Sequence, residues 1–177
     1  TCAAQGAEVT VGSGPVALTA KHQNIHIIHV ESAAEMYTAT TGAFPKADVG
    51  ILCAAVADFT PATTATEKIK REGDVLHLDL VATRDIAAAL GQAKRTDQKL
   101  IGFALETTNE KEHAKAKLAK KHLDFIVLNS LNDKGAGFAH DTNKVTIIAQ
   151  NEERVFELKT KSEVAQDIID YLCESFD

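Results

Sequence analysis

Asp48-Val49-Gly50-Ile51-Leu52-Cys53-Ala54-Ala55-Val56-Ala57-Asp58-Phe59 is the stretch that decides the fold. Its apolar part, Val49 to Ala57, is about half of the roughly 20 residues that a bilayer-spanning helix needs, so no membrane span is expected. A run of this length, ended by small residues and an acid, reads as a buried strand over Asp48 to Cys53. Comparable runs recur at Glu8 to Gly12, Ile25 to Val30, Lys99 to Ala104 and Asp124 to Leu128, with helical patterns between them. That alternation predicts an α/β fold, a mostly parallel sheet with helices on both faces.

Two helix starts are written into the sequence. Ser32-Ala33-Ala34-Glu35 and Thr160-Lys161-Ser162-Glu163 both fit the capping box, in which a hydroxyl and a carboxylate each satisfy free amides of the first turn. After the second, Val164, Ile168, Ile169, Leu172 and Phe176 repeat at helical spacing and form one apolar stripe. A further helix is expected near Asp85 to Lys94, with Ile86, Ala87, Leu90 and Ala93 on one face. Val145 to Ala149 and Arg154 to Leu158, joined by a polar turn at Asn151 to Glu153, predict a C-terminal antiparallel hairpin. Val75 to Val81 alternates and predicts an extended arm or edge with one face buried and the other wet. No repeat, low-complexity tract or linker divides the 177 residues, so one domain is expected over residues 1–177.

Composition narrows the function. With 45% hydrophobic and 25% charged residues the chain reads as globular, and its length allows roughly 70% of the unfolded surface to be buried. Nineteen Lys and Arg against 25 Asp and Glu give a net charge of −6, which argues against nucleic acid as a partner, because phosphate backbones attract the opposite sign. Cys2, Cys53 and Cys173 are far apart and form no CxxC pair, so neither a zinc site nor a disulfide framework is indicated. A reducing cytoplasm is the simplest compartment, and no secretory signal opens the chain.

In an open parallel sheet, ligands bind beyond the carboxyl ends of the strands. The exit at Gly12-Ser13-Gly14-Pro15 brings backbone amides within reach of a phosphate but lacks the third glycine of the dinucleotide fingerprint, and a plain tight turn explains it equally. At Cys53 to Phe59, small side chains let a ligand touch backbone, and Asp58 would hold a ribose hydroxyl or a magnesium ion, both of which seek hard anionic oxygen. Capping a helix is the other role open to Asp58. Pro61 to Thr66, followed by Glu67-Lys68-Ile69-Lys70-Arg71, forms a small polar segment running into cations, suited to a polyphosphate or simply to solvent. The exits at Gly102-Phe103-Ala104-Leu105-Glu106-Thr107 and Leu128-Asn129-Ser130-Leu131-Asn132-Asp133 offer an aromatic, a carboxylate and amides, and Gly135-Ala136-Gly137-Phe138 reads as a loop. Phe103 as core and Asn129 as a turn residue are the plainer roles.

Other chemistries find no support. His26 and His29 are three apart in a strand and face opposite sides, and there is neither a GxSxG elbow nor a GxxxxGK[ST] loop. The helix after Asn109 carries Lys111, Lys115, Lys117, Lys120 and Lys121, but with Glu110 and Glu112 among them and no interleaved aromatics it reads as a solvated face.

Ser13-Gly14-Pro15-Val16, Ala54-Ala55-Val56-Ala57-Asp58-Phe59, Glu67-Lys68-Ile69-Lys70-Arg71, Gly102 to Thr107 and Gly137-Phe138 with Asp141 to Val145 together resemble, in order and spacing, phosphopantothenoylcysteine synthetase, the CoaB half of the bacterial bifunctional coenzyme A protein. The resemblance covers nearly the whole chain, and the Ala-Ala-Val-Ala-Asp and Lys-x-Lys runs are its specific part. It implies a Rossmann-like homodimer that activates 4′-phosphopantothenate with CTP and Mg2+, releases pyrophosphate, and lets cysteine displace CMP from an acyl-cytidylate. By the same resemblance Lys68 neutralises the phosphates during cytidylation, Asp58 holds the nucleotide or its metal, and Ala54, Ala55 and Phe103 shape the nucleotide pocket. Asn129 is added as a further pocket residue.

The family carries an earlier strand and a Ser-Ser-Gly loop preceded by an asparagine, whereas Thr1 falls within the helix expected after that loop. The domain is therefore expected to be N-terminally incomplete relative to the family, and the segment alone to keep part of the nucleotide pocket without completing the reaction. The decarboxylase half, fused to or associated with such domains, lies outside these residues, and no flavin is expected in this chain. An NAD(P)-binding reductase domain and a non-enzymatic nucleotide sensor are the alternatives the fold alone would permit.

Overall fold

A computed structural model describes residues 1–71, 73–106, 108–130 and 141–176. Two apolar stripes back to back explain its layers. Along β6 (Lys99–Glu106) Leu100 and Ala104 face one way and Ile101 and Phe103 the other, and β7 (Phe125–Ser130) alternates in the same manner. Leu100, Ala104, Ile126, Leu128 and Ile148 meet Met36 of α1 (Ala33–Ala43), Ile86 and Leu90 of α2 (Ile86–Ala93), and Ala114 and Leu118 of α3 (Glu110–Lys120). Ile101, Phe125, Val127, Val145 and Ile147 meet Val164, Ile168, Ile169 and Leu172 of α4 (Lys161–Glu174). Helices thus cover both faces.

The main sheet runs β3 (Val49–Leu52), β6, β7, β8 (Thr142–Ala149), β9 (Glu153–Thr160). β3, β6 and β7 are parallel, while β8 and β9 form the C-terminal hairpin and pair antiparallel, which makes the sheet mixed. β1 (Val9–Ser13) and β2 (Ile25–His29) pair parallel to each other. Both capping boxes are present, Ser32 with Glu35 on α1 and Thr160 with Glu163 on α4.

Between β3 and α2 the chain leaves the sheet as an arm, whose base is β4 (Phe59–Pro61) paired antiparallel with β5 (Leu80–Ala82). Described residues 62–71 and 73–79 carry neither helix nor strand. The arm is extended as expected, but the expected buried face is not there. Val75, Leu76, Leu78, Leu80 and Val81 are all exposed, because none of the described residues covers them. Glu72, Thr107, the Leu131-Asn132-Asp133 exit and the Gly135 to Phe138 loop lie outside the described residues.

The lower end of the sheet, where the parallel strands begin, is tightly bonded. Gln98 is 2% exposed, and its amide donates to the carbonyls of Phe44 (2.8 Å) and Ala47 (2.6 Å) while its oxygen accepts from the Arg95 amide. Asp124 accepts from the Leu100 amide and from Lys94, each at 2.6 Å. At Gly91 a Cβ would stand 2.0 Å from the Lys121 carbonyl oxygen, so only glycine lets the ends of α2 and α3 approach this closely.

Candidate functional site

β3, β6 and β7 all end on the same side, opposite the bonded lower end, so their exits converge as a parallel sheet requires. Beyond β3, Ala54 and Ala55 are exposed, and their small side chains leave the backbone open to a ligand. Leu52 pairs with Gly102, so Phe103 on β6 stands one residue past that pair, beside the start of the 53–58 segment. Phe103 is half-buried and packs against the cluster under α4. It is therefore partly core, and only its remaining surface is available to a pocket. Asn129 lies one strand further on, opposite Leu105 on β6 and Val145 on β8, where its side-chain oxygen accepts from Asn143 at 3.0 Å. That bond ties Asn129 to the hairpin.

Asp58 caps no helix, since the residue after it opens β4. Its carboxylate is exposed and, among the described residues, enters no hydrogen bond or ion pair, while its main-chain carbonyl accepts from the Thr83 amide at 2.9 Å. Lys68 lies on the arm between β4 and β5, exposed and likewise without an ion pair among the described residues. Its neighbour Arg71 is engaged differently, reaching Asp74 at 2.8 Å. Ala54, Ala55 and Phe103 thus stand at neighbouring strand exits, Asp58 at the base of the arm, Asn129 one strand further on and Lys68 out on the arm.

Sequence spacing missed a charged cluster at the β6 exit. Glu106 is held by Lys117 and faces His113 of α3 at 3.5 Å, and the Lys117 hydrogen bond, working against partial burial, keeps its carboxyl below the usual carboxylate range. Glu106 therefore stays ionised, its charge offset by the Lys117 ammonium. Other lysines of α3 are also engaged. Lys111 and Lys115 both reach Glu153 at 2.7 Å, and Lys121 reaches Asp85 at 3.3 Å. The face read as solvated is exposed, and its lysines also form ion pairs with β9, β6 and the start of α2. Its partners come from distant elements, which no helical spacing reveals.

Among the described residues no group of three or more His, Cys, Asp or Glu side chains could hold a metal ion. A lone exposed carboxylate such as Asp58 does suit magnesium bound mainly through substrate phosphates, because that ion keeps several waters and needs only one or two protein carboxylates. Cys2, Cys53 and Cys173 are free, and no described helix is long and apolar enough to cross a membrane. A cavity of about 680 Å³ lined by Gly91, Lys94, His122 and Asp124 lies at the lower end, away from the exits. Its ion pair serves the Leu100 amide, so it belongs to the bonded foot of the sheet.

Residues 1–176 match the family described as the DNA/pantothenate metabolism flavoprotein C-terminal domain. A protein from an unknown prokaryotic organism, named cysteine/cysteine sulfinic acid decarboxylase, is 56% identical over 168 residues, which are 94% of this chain and 47% of the relative. The Bacillus subtilis (strain 168) coenzyme A biosynthesis bifunctional protein CoaBC is 41% identical over 165 residues, 93% of this chain and 40% of the relative. The crystal structure of the C-terminal domain of a coenzyme A biosynthesis bifunctional protein CoaBC aligns with a TM-score of 0.79 at 36% identity, covering 98% of this chain and 79% of that one. The chain spans about half the length of the curated relatives it matches.

Proposed function

Because the chain belongs to the DNA/pantothenate metabolism flavoprotein C-terminal domain family, we propose that it joins 4′-phosphopantothenate to L-cysteine using CTP, with an acyl-cytidylate as intermediate. The observation that supports this most is the coincidence of two findings. The family match runs from residue 1 to residue 176, and its most specific motif lies at a strand exit with exposed small residues and an acid that meets no partner among the described residues. A substrate carboxylate attacking an α-phosphorus must approach a centre ringed by negative oxygens, so positive charge has to be placed around it.

In this reading Ala54 and Ala55 offer backbone to the nucleotide, and the exposed part of Phe103 forms one wall. Lys68 spreads the phosphate charge during cytidylation. Asp58 would hold Mg2+, which when bound would polarise the phosphate oxygens. Asn129 borders the pocket. Then cysteine attacks the acyl carbonyl and CMP leaves, giving 4′-phosphopantothenoylcysteine. The exposed Val75, Leu76, Leu78 and Leu80 support a homodimer in which the arm is covered by a second copy, and the free cysteines support a cytoplasmic setting. The bifunctional name of the Bacillus subtilis relative supports a decarboxylase half fused to or associated with this domain.

The decarboxylase name of the 56% identical relative favours a second reading, in which this domain serves an enzyme acting on cysteine alone. Two measurements separate the readings. Thermal shifts of the 177-residue chain with CTP, ATP, NADH and NADPH, each with magnesium, should show stabilisation by CTP, since a ligand that binds only the folded state raises its melting temperature. Stabilisation by a dinucleotide alone would move the assignment to a reductase. In the full gene product, pyrophosphate should appear on mixing CTP with 4′-phosphopantothenate before cysteine is added. Carbon dioxide released from cysteine with no pyrophosphate would refute the ligase reading.

A further inference from the structure

We infer that Thr83, a residue with no part in the reading above, is a positioning residue that fixes the Ala54–Asp58 loop for nucleotide by clamping the carbonyls of Ala57 and Asp58 to the base of the arm; the inference rests on the nucleotide-binding role proposed for that loop. Thr83 makes two bonds to successive carbonyls. Its hydroxyl donates to the Ala57 oxygen at 2.7 Å and its amide donates to the Asp58 oxygen at 2.9 Å. The register of the arm base explains the second bond: Phe59 stands opposite Ala82, so Asp58 comes opposite Thr83 and the amide continues the antiparallel ladder. The first bond is different in kind. It carries the attachment one residue past the ladder, into the loop itself.

Peptide units are planar, so holding an oxygen also fixes the N–H of the next residue. Anchoring the Ala57 oxygen sets the amide of Asp58, and anchoring the Asp58 oxygen sets the amide of Phe59. Both peptide planes that flank Asp58 are therefore fixed, and its carboxylate keeps only side-chain freedom. Thr83 is itself well anchored. The next residue, Arg84, stacks over the Tyr37 ring of α1 at 3.9 Å, and Asp85 accepts the Ala88 amide as the N-cap of α2. The clamp thus connects the helical layer to the loop, and ordering the loop beforehand reduces the entropy lost when nucleotide binds. The same residue ties down the base of the arm that carries Lys68.

The test compares Thr83→Val, which keeps the shape and removes the hydroxyl, with Thr83→Ser, which keeps the hydroxyl. Hydrogen exchange of the nucleotide-free chain should show faster exchange over residues 57–61 and 80–83 in Thr83→Val, with Thr83→Ser close to wild type. Titration with CTP and magnesium should then give about a tenfold weaker dissociation constant for Thr83→Val, the equivalent of one net hydrogen bond, and a value within about twofold of wild type for Thr83→Ser. In the full gene product the loss should fall on KM for CTP, with kcat within about threefold. Equal CTP affinity in wild type and Thr83→Val overturns the inference, as does Thr83→Ser weakening binding as much as Thr83→Val. If the wild-type chain binds no CTP, the nucleotide role of the clamp fails, while the ligase reading is decided by pyrophosphate release in the full gene product. The exchange experiment still decides separately whether the clamp exists, and unchanged exchange in Thr83→Val refutes it.

Discussion

Replacing Asp124 should unfold the lower end of the sheet without touching nucleotide binding, and the structure sets the size of the effect. One carboxylate oxygen accepts from the Leu100 amide and from the Lys94 ammonium, both at 2.6 Å. Leu100 is fully buried, and the side chains of Lys94 and Asp124 are only 17% and 24% exposed. In Asp124→Ala the amide loses its acceptor inside the core, which costs about 1–3 kcal/mol. The ammonium also loses its partner, a further penalty reduced here because Lys94 can swing partly into water. A total of roughly 3–4 kcal/mol follows, or a melting temperature lower by roughly 6–15 °C for a chain of this size. Asp124→Asn keeps an oxygen for the Leu100 amide and loses only the charge, so about 1–2 kcal/mol is expected. Urea unfolding measures both, and a double-mutant cycle with Lys94→Met should return a coupling of about 1–3 kcal/mol. CTP affinity should be unchanged in each folded variant. If Asp124→Ala costs under about 1 kcal/mol, or Asp124→Asn is as damaging as Asp124→Ala, the carboxylate is not the shared acceptor it is taken to be.

Lys68→Ala in the full gene product should leave the unfolding midpoint unchanged and slow pyrophosphate release by two orders of magnitude or more, the scale of losing one preorganised charge donor; release at the wild-type rate would remove Lys68 from the cytidylation step. Asp58→Asn should weaken magnesium-dependent CTP binding more than it lowers stability, because the carboxylate makes no bond within the described chain, and matching calorimetric titrations for the two proteins would refute this. The acid response follows from two carboxylates: Lys111 and Lys115 draw Glu153 down to about 2, and Lys117 lowers Glu106. Folded values below the unfolded ones give stability that is complete above roughly pH 5 and lost as pH falls, for Glu153 down to about 2, so the urea midpoint should decline over that window and less steeply in Lys111→Met/Lys115→Met. Gly91→Ala should cost about 3 kcal/mol or more in urea unfolding, since its Cβ would meet the Lys121 carbonyl oxygen at 2.0 Å.

The layers were legible because burial writes itself into residue order. β6 and β7 are apolar on alternate residues toward two different helical layers, and α1 and α4 begin at capping boxes that need only four consecutive residues to recognise. Features that depend on residues far apart were not legible. The alternation over Val75 to Val81 says that one side suits burial, but none of the described residues buries it. The lysines along α3 are solvated as read, but their ion pairs were not legible, because Glu153, Glu106 and Asp85 lie on β9, on β6 and at the start of α2. Thr83 carried no signal at all. It lies 26 residues from the carbonyl its hydroxyl holds, and a threonine between strand and helix has many commoner uses.

Of the residues named for the site, Asp58 and Lys68 are the two that carry charge, and neither is neutralised by a described neighbour. Exposed charges cost little in water, so lack of a partner is by itself no sign of function. Other described charges, Lys70, Asp79, Glu112 and Lys120 among them, also stand outside any ion pair, while Glu106, Asp124, Glu153 and Asp167 have lysine partners from elsewhere in the fold, so the weight rests on where Asp58 and Lys68 stand. Opposite charges held on a clamped loop and on the arm rooted beside it suit a ligand that is itself mixed, a polyphosphate with its cation. Such a ligand supplies anionic oxygens for Lys68 and a metal for Asp58. On this argument the two single variants should not be additive for CTP binding. With magnesium omitted, Asp58→Asn should have almost no further effect while Lys68→Ala keeps its own, and calorimetric titration of both variants with and without the metal reads the difference. An Asp58→Asn loss of equal size in the absence of magnesium would mean that the carboxylate meets the nucleotide directly.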